Sequence, residues 1–182
     1  MVDGEKWDLL DIHGCPNGRT VSRACDGNPE SLLGDGDLHR LVQVVVFNSR
    51  GQVLIQLRSP DKPEWPNSWD LSAGGSVLAG ESSQEGASRE LLEELGIFVD
   101  FQGVRPQLVV SFPRGFFDVY VTNLECDPEQ LVLQEEEVQA ARWASVEEIL
   151  RMIDDGSFCD VPKSLIELIG DLHARPDFLA MN

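Results

Sequence analysis

Short alternations of apolar and polar residues open the chain. Residues 7–12 and 19–23 predict the arms of a short hairpin, with Asn17-Gly18 as its turn signal. The rest of residues 1–38 is polar and turn-rich, with Gly14, Pro16, Gly27, Pro29, Gly34 and Gly36, and predicts a loop. A β-branched apolar run at 41–47 and an alternating run at 53–58 predict two strands joined by a tight turn at 48–51. A loop is expected at 59–69, where Pro60, Pro63 and Pro66 interrupt any regular pattern. A short strand is expected at 70–73, with flexible backbone at Gly74-Gly75. Residues 85–95 carry helical spacing and end at Gly96, which fits the position just past a helix C-terminus. Two long strands are predicted at 98–111 and 116–124, and another at 138–143. Ser145, with Glu148 three residues on, caps a helix running to about 153. Pro162 opens a last helix at about 163–172. Strands and helices in this order predict an α/β fold: a mixed sheet with helices packed on it, in a sandwich.

Composition narrows the class. A chain of 182 residues is expected to form one domain with a sizeable core, residues 1–38 being an N-terminal extension. No apolar run is long enough to span a membrane, and the opening residues lack a signal-peptide pattern, so a cytoplasmic protein is expected. The net charge of −18, from 32 acids and 14 bases, argues against duplex nucleic acid and anionic membrane surfaces as partners. A small phosphorylated substrate stays open, because a divalent cation inverts the local field. The four cysteines, Cys15, Cys25, Cys126 and Cys159, form no CxxC pair and read as ordinary thiols rather than as a zinc site. A homodimer through the apolar strands also stays open.

The chemistry concentrates on the helix expected at 85–95. Glu90, Glu93 and Glu94 stand at i, i+3 and i+4, and so share one face. Three like charges packed together repel each other, and a hard cation such as Mg²⁺ or Mn²⁺ supplies a reason to keep them. Leu91, Leu92 and Leu95 fall on the other side and are expected to anchor the helix in the core. Arg89 can pair with Glu81 and tie the preceding loop to the helix. Gly75 and Gly80 let that loop bend and bring a backbone carbonyl to the metal.

Gly75, Glu81, Arg89, Glu90, Leu91, Glu93, Glu94, Gly96 and Ile97 match, position for position, the signature of the Nudix hydrolases. The spacing is Gly, five residues, Glu, seven residues, Arg-Glu, an aliphatic, any residue, Glu-Glu, any residue, Gly, an aliphatic. At common residue frequencies, such a match arises by chance on the order of once in 10⁸ placements. The resemblance implies an α/β/α sandwich and hydrolysis of a nucleoside diphosphate linked to another group. It implies Glu90 and Glu94 as metal ligands, and Glu93 as a further ligand or the general base. Arg89 and Glu81 would be the orienting pair.

A wider likeness covers roughly residues 5 to 150. Trp7-Asp8, Gly18-Arg19-Thr20, His39-Arg40, Leu57-Arg58-Ser59, Lys62, Trp69-Asp70 and Ser72-Ala73-Gly74-Gly75 resemble the branch of isopentenyl-diphosphate isomerase. Where those isomerases carry Cys-Gly-His, this chain has Gly74-Gly75-Ser76, without the thiol needed for allylic proton transfer. Isomerase activity is therefore not expected. His39 falls where the isomerases have a metal-binding His, and Glu135 and Glu137 fall where they have a Glu-x-Glu pair. Either reading of these residues, metal ligand or ordinary polar residue, is open. Arg58 and Lys62 are candidates for phosphate, and Trp65, Trp69, Phe112, Phe116 and Phe117 for a wall that stacks a base or covers a prenyl tail. The expected activity is metal-dependent nucleotide pyrophosphohydrolysis. The alternatives are hydrolysis of an isoprenoid-type diphosphate, or ligand binding without catalysis.

Overall fold

The computed structural model describes residues 5–22 and 33–175. Arg23, Cys25, Gly27 and Pro29 of the expected hairpin end and loop lie outside the described residues. The first strands, β1 (Lys6–Leu10) and β2 (Pro16–Ser22), form a separate antiparallel pair. The turn between them is not Asn17-Gly18. It is residues 11–15, where the Asp11 Oδ1 accepts from the backbone N–H of His13 at 2.8 Å and of Cys15 at 3.0 Å. Asn17 and Gly18 sit inside β2. There the register shifts from Asp8↔Thr20 to Leu10↔Pro16, and Gly18 takes φ +82°. Gly18, not the pair, takes left-handed backbone, and it makes a bulge rather than the expected turn.

The main sheet carries seven strands among the described residues: β3 (His39–Phe47), β4 (Val53–Arg58), β5 (Trp69–Asp70), β6 (Ala73–Ser76), β7 (Leu108–Phe112), β8 (Gly115–Asn123) and β9 (Val138–Ala144). Its order is β5-β4-β3-β8-β7, with β6 also on β3 and β9 on β4. β3 runs parallel to β8 and the other pairs are antiparallel, so the sheet is mixed, as expected. The strand expected at 70–73 is two pieces. Ser72 turns the chain from β4 to β3: its Oγ donates to the Leu54 carbonyl at 2.6 Å and accepts from the Val46 N–H at 2.8 Å. Gly74 and Gly75 lie within β6. The long strand expected from 98 starts only at Leu108, because Gly103 turns the backbone at φ +79° and Pro106 has no N–H to pair.

The centre of β3 is apolar on both faces because both are covered. Val42, Val44 and Val46 pack with Ala87, Leu91 and Leu95 of α1 (Ser83–Leu95). Val45 and Phe47 pack with Ile149 and Met152 of α2 (Val146–Asp155) and with Ile166 and Ile169 of α3 (Lys163–His173). This is the expected sandwich. Helix α1 starts earlier than expected, with Ser82 as its N-cap in a capping box with Glu85, and it ends at Gly96, φ 68°. Its buried face is centred on Ala87, Leu91 and Leu95. Leu92 lies about 100° round the helix and is 46% exposed, so it does not anchor the core as expected. Ser82→Ala is expected to lower stability by about 1 kcal/mol, read from the urea midpoint, because it removes the hydroxyl that accepts from the Glu85 N–H and leaves only the Ser82 N–H on the Glu85 carboxylate.

Candidate active site

Two features of α1 aim its acidic face. The apolar stripe fixes its rotation against β3, and β6 runs beside it, close enough that a side chain on Gly75 would displace the Glu90 carboxylate. A Cβ built there would lie 2.3 Å from the Glu90 Oε1. Glu90, Glu93 and Glu94 thus enter one cleft of about 200 Å³, shared with Arg58, Lys62, Gly74, Gly75, Arg89 and Glu137. Trp7, Leu41 and Leu78 line it as apolar wall.

Arg89 organises the acids. Its Nε donates to Glu81 Oε1 at 2.9 Å, and its Nη2 donates to Glu81 Oε2 and the Ser76 carbonyl. Its Nη1 donates to Glu90 Oε1 at 2.8 Å and Glu93 Oε2 at 3.0 Å. All five N–H groups of the guanidinium are used, which leaves none for a substrate. Burial works against its charge, but Glu81 and Glu90 outweigh that and hold it well above the usual arginine range. Glu81 also accepts from the Leu78 N–H at 2.9 Å, so the loop before α1 is pinned to the same cation.

Glu94 has no such partner. It is 5% exposed, and its Oε2 accepts from Gln56 Nε2 at 2.9 Å and the Gly74 N–H at 3.2 Å, both neutral donors. Burial, reinforced by Glu90, pushes its carboxyl up to about 8. Burial likewise pushes Glu90 up to about 7 against the pull of Arg89, with Glu93 and Glu137 adding to the rise. Two buried carboxyls that resist ionisation fit a divalent cation, which would supply the missing positive charge. The donors are all hard oxygens, as such an ion requires. Gln56 Oε1, buried and without a partner, adds a further polar atom beside Glu94. Among the described residues, no three acids already converge at ligand distances: Glu90 and Glu93 are held on Arg89, and Glu94 on Gln56 and the Gly74 N–H.

The other candidates divide. Lys62 is ion-paired with Glu137, which reaches the cleft from the loop before β9. Arg58 reaches it from the end of β4, with Nη1 on Asp70 Oδ2 at 3.2 Å and Nε and Nη2 on the Glu64 carbonyl. Trp69 and Phe117 do not line the cleft. Trp69 packs toward α2 and α3 beneath Arg142, whose guanidinium lies 4.6 Å from its ring centre. Phe117 packs on Phe112, with ring centres 5.0 Å apart. Glu135 is exposed and also stands outside. His39 is 2% exposed, stacked on Trp7 and edge-on to Phe112, not among the acids. Burial lowers it to about 4, so the ring is neutral at pH 7. Sequence reasoning missed Gln56 and the apolar wall. The one signal for Gln56 was an amide inside the otherwise apolar run 53–57.

A carboxylate-bearing helix set beside a mixed sheet, with cations across the same cleft, fits metal-assisted chemistry on a phosphorylated compound. Residues 37–160 match the NUDIX domain family. An uncharacterized Nudix hydrolase of Listeria monocytogenes is 42% identical over 85% of this chain and 88% of its own. A prenyl-diphosphate phosphatase of Methanosarcina mazei is 30% identical over 64% of this chain and 69% of its own. More distantly, an isopentenyl-diphosphate isomerase of Shigella flexneri is 28% identical over 80% of each chain. The crystal structure of DR0079 from Deinococcus radiodurans superposes with a TM-score of 0.67 at 28% identity, covering 91% of this chain and 97% of that one. The chain belongs to the Nudix hydrolases, enzymes that act with divalent metals on small phosphorylated substrates. No helix among the described residues is long and apolar enough to cross a membrane.

Proposed function

We propose that the chain uses Mg²⁺ to hydrolyse the phosphoanhydride bond of a small diphosphate, and that the group carried by the diphosphate is apolar, of isoprenoid type. Glu90 and Glu94 would hold the cation, joined by Glu137 and the Gly75 carbonyl. When bound, the ion neutralises the diphosphate oxygens and acidifies water. Glu93 is about half exposed and held only by Arg89, so it is free to take the proton from the attacking water. The water oxygen bonds to one phosphorus, the bridging P–O bond breaks, and the leaving phosphate keeps the electron pair. Arg58 retains N–H groups beyond those spent on Asp70 and Glu64, and with Lys62 it offers positive charge to the phosphoryl oxygens.

The observation that carries the substrate reading is the half-buried Leu41 and Leu78, backed by the buried Trp7, in the same cleft as the carboxylates. A prenyl tail needs only apolar surface, and a base needs an open ring with hydrogen-bonding groups beside it. The kinship with a prenyl-diphosphate phosphatase agrees with this choice. The nucleotide reading draws on Trp65, which is 49% exposed next to the cleft-lining Glu64 and offers a ring to a base. Phosphate release from a panel of isoprenoid diphosphates, nucleoside di- and triphosphates and nucleotide sugars, with Mg²⁺, separates the two. Isoprenoid diphosphates are expected to show kcat/KM at least about tenfold above every nucleotide, a margin of about 1.4 kcal/mol. A nucleotide preference would overturn the substrate assignment.

A further inference from the structure

The segment 59–68 is tied to residue 137 twice. The Ser59 N–H donates to the Glu137 carbonyl at 2.8 Å, and Lys62 returns its ammonium to the same residue's carboxylate. Both side chains of that pair are largely buried, with 17% and 25% of their surfaces accessible. The Lys62 N–H also donates to the Ser59 carbonyl, so the turn holding the lysine is itself closed. Glu137 shares the cleft with Glu90 and Glu94 and adds its negative charge to both.

The cations facing this acid group can be accounted for one by one. Arg89 is fully spent on Glu81, Glu90, Glu93 and Ser76. Arg58 is anchored by Asp70 and the Glu64 carbonyl. Lys62 is held at its tip by the Glu137 carboxylate, which reaches the cleft from outside α1. Its flexible stem can swing without breaking another side-chain hydrogen bond. An ammonium and a divalent cation on one carboxylate repel each other.

We propose that Lys62 is an exchangeable counter-ion: it neutralises Glu137 until a divalent cation recruits that carboxylate, and it then moves to an oxygen of the bound diphosphate. This rests on the metal-dependent reading above. Its consequence is that metal and diphosphate bind cooperatively. Each relieves a cost of the other, because the metal releases the lysine that the diphosphate uses.

The test is Mn²⁺ binding to the full chain, read from the electron paramagnetic resonance signal of free Mn²⁺, with and without methylenediphosphonate. Lys62→Gln is expected to tighten Mn²⁺ about tenfold in the absence of the diphosphonate, and this gain should vanish in a Glu137→Gln background. Methylenediphosphonate should tighten Mn²⁺ on the wild type by a clearly larger factor than on Lys62→Gln, where Arg58 alone is left to meet it. Lys62→Arg keeps the charge and should match the wild type. An unchanged or weakened Mn²⁺ affinity in Lys62→Gln overturns the proposal, as does a gain that persists without Glu137. Mn²⁺ binding that is absent from the wild type, or that survives Glu94→Gln unaltered, overturns the metal site itself and the exchange with it.

Discussion

Glu94→Gln is expected to cut turnover roughly 10³-fold while making the metal-free protein less sensitive to pH. The amide keeps the shape and can still meet Gln56 and the Gly74 N–H, but it brings no charge to a cation. The stability effect follows from burial, which lifts Glu94 from 4.5 to about 8. Between those values the folded chain holds a proton that the unfolded chain releases. The stabilisation is therefore fully present below 4.5 and is lost as pH rises through about 8. Urea melts in a chelator should show the wild type weakening across that window, and Glu94→Gln should weaken less. Glu90, lifted to about 7, remains to give the variant a residual slope. Equal slopes in the two proteins would mean that Glu94 is not the buried acid described.

Gly75→Ala is expected to cost roughly 10²-fold in kcat with little change in stability. Gly75 lies in β6, where alanine is free to adopt the backbone, but its Cβ would stand 2.3 Å from Glu90 Oε1 and 2.7 Å from Oε2. The carboxylate is the loose end of a side chain, so it yields, and in yielding it leaves Arg89 and the cleft. Gly74→Ala is a telling contrast. There the Cβ meets the Val42 backbone carbonyl at 2.9 Å, which cannot yield cheaply, so stability is expected to fall by about 1–3 kcal/mol. Steady-state kinetics and thermal melts on the pair separate displacement of Glu90 from distortion of the sheet.

The helix was legible because its information is local. Spacing puts Glu90, Glu93 and Glu94 on one face, and Arg89 and Glu81 meet across a single loop. Strands β3 and β4 were equally plain, the first from its β-branched apolar run and the second from alternation ahead of Arg58, with a tight turn between them. What stayed hidden depends on which way a side chain turns in the fold. Trp69 sits in a Pro-rich stretch that says nothing of its neighbours, and only the approach of Arg142 and α2 fixes it away from the cleft. The carboxylates at 135 and 137 are two residues apart on the same loop. The tie between Ser59 and residue 137 presents Glu137 to the cleft, while Glu135 remains exposed. The turn expected at Asn17-Gly18 falls at 11–15 instead, because Asp11 closes it earlier with its own side chain, and Gly18 is left to form a bulge.

The most direct test of the central assignment is hydrolysis of an isoprenoid diphosphate in ¹⁸O-water, with Mg²⁺, with chelator, and with Mg²⁺ restored. The expected result is phosphate release that stops with chelator and resumes with Mg²⁺, with one ¹⁸O on a phosphorus-containing product and none on the alcohol carbon. Release that ignores the chelator, or label on carbon, would contradict a metal-dependent phosphoanhydride hydrolase built on Glu90 and Glu94.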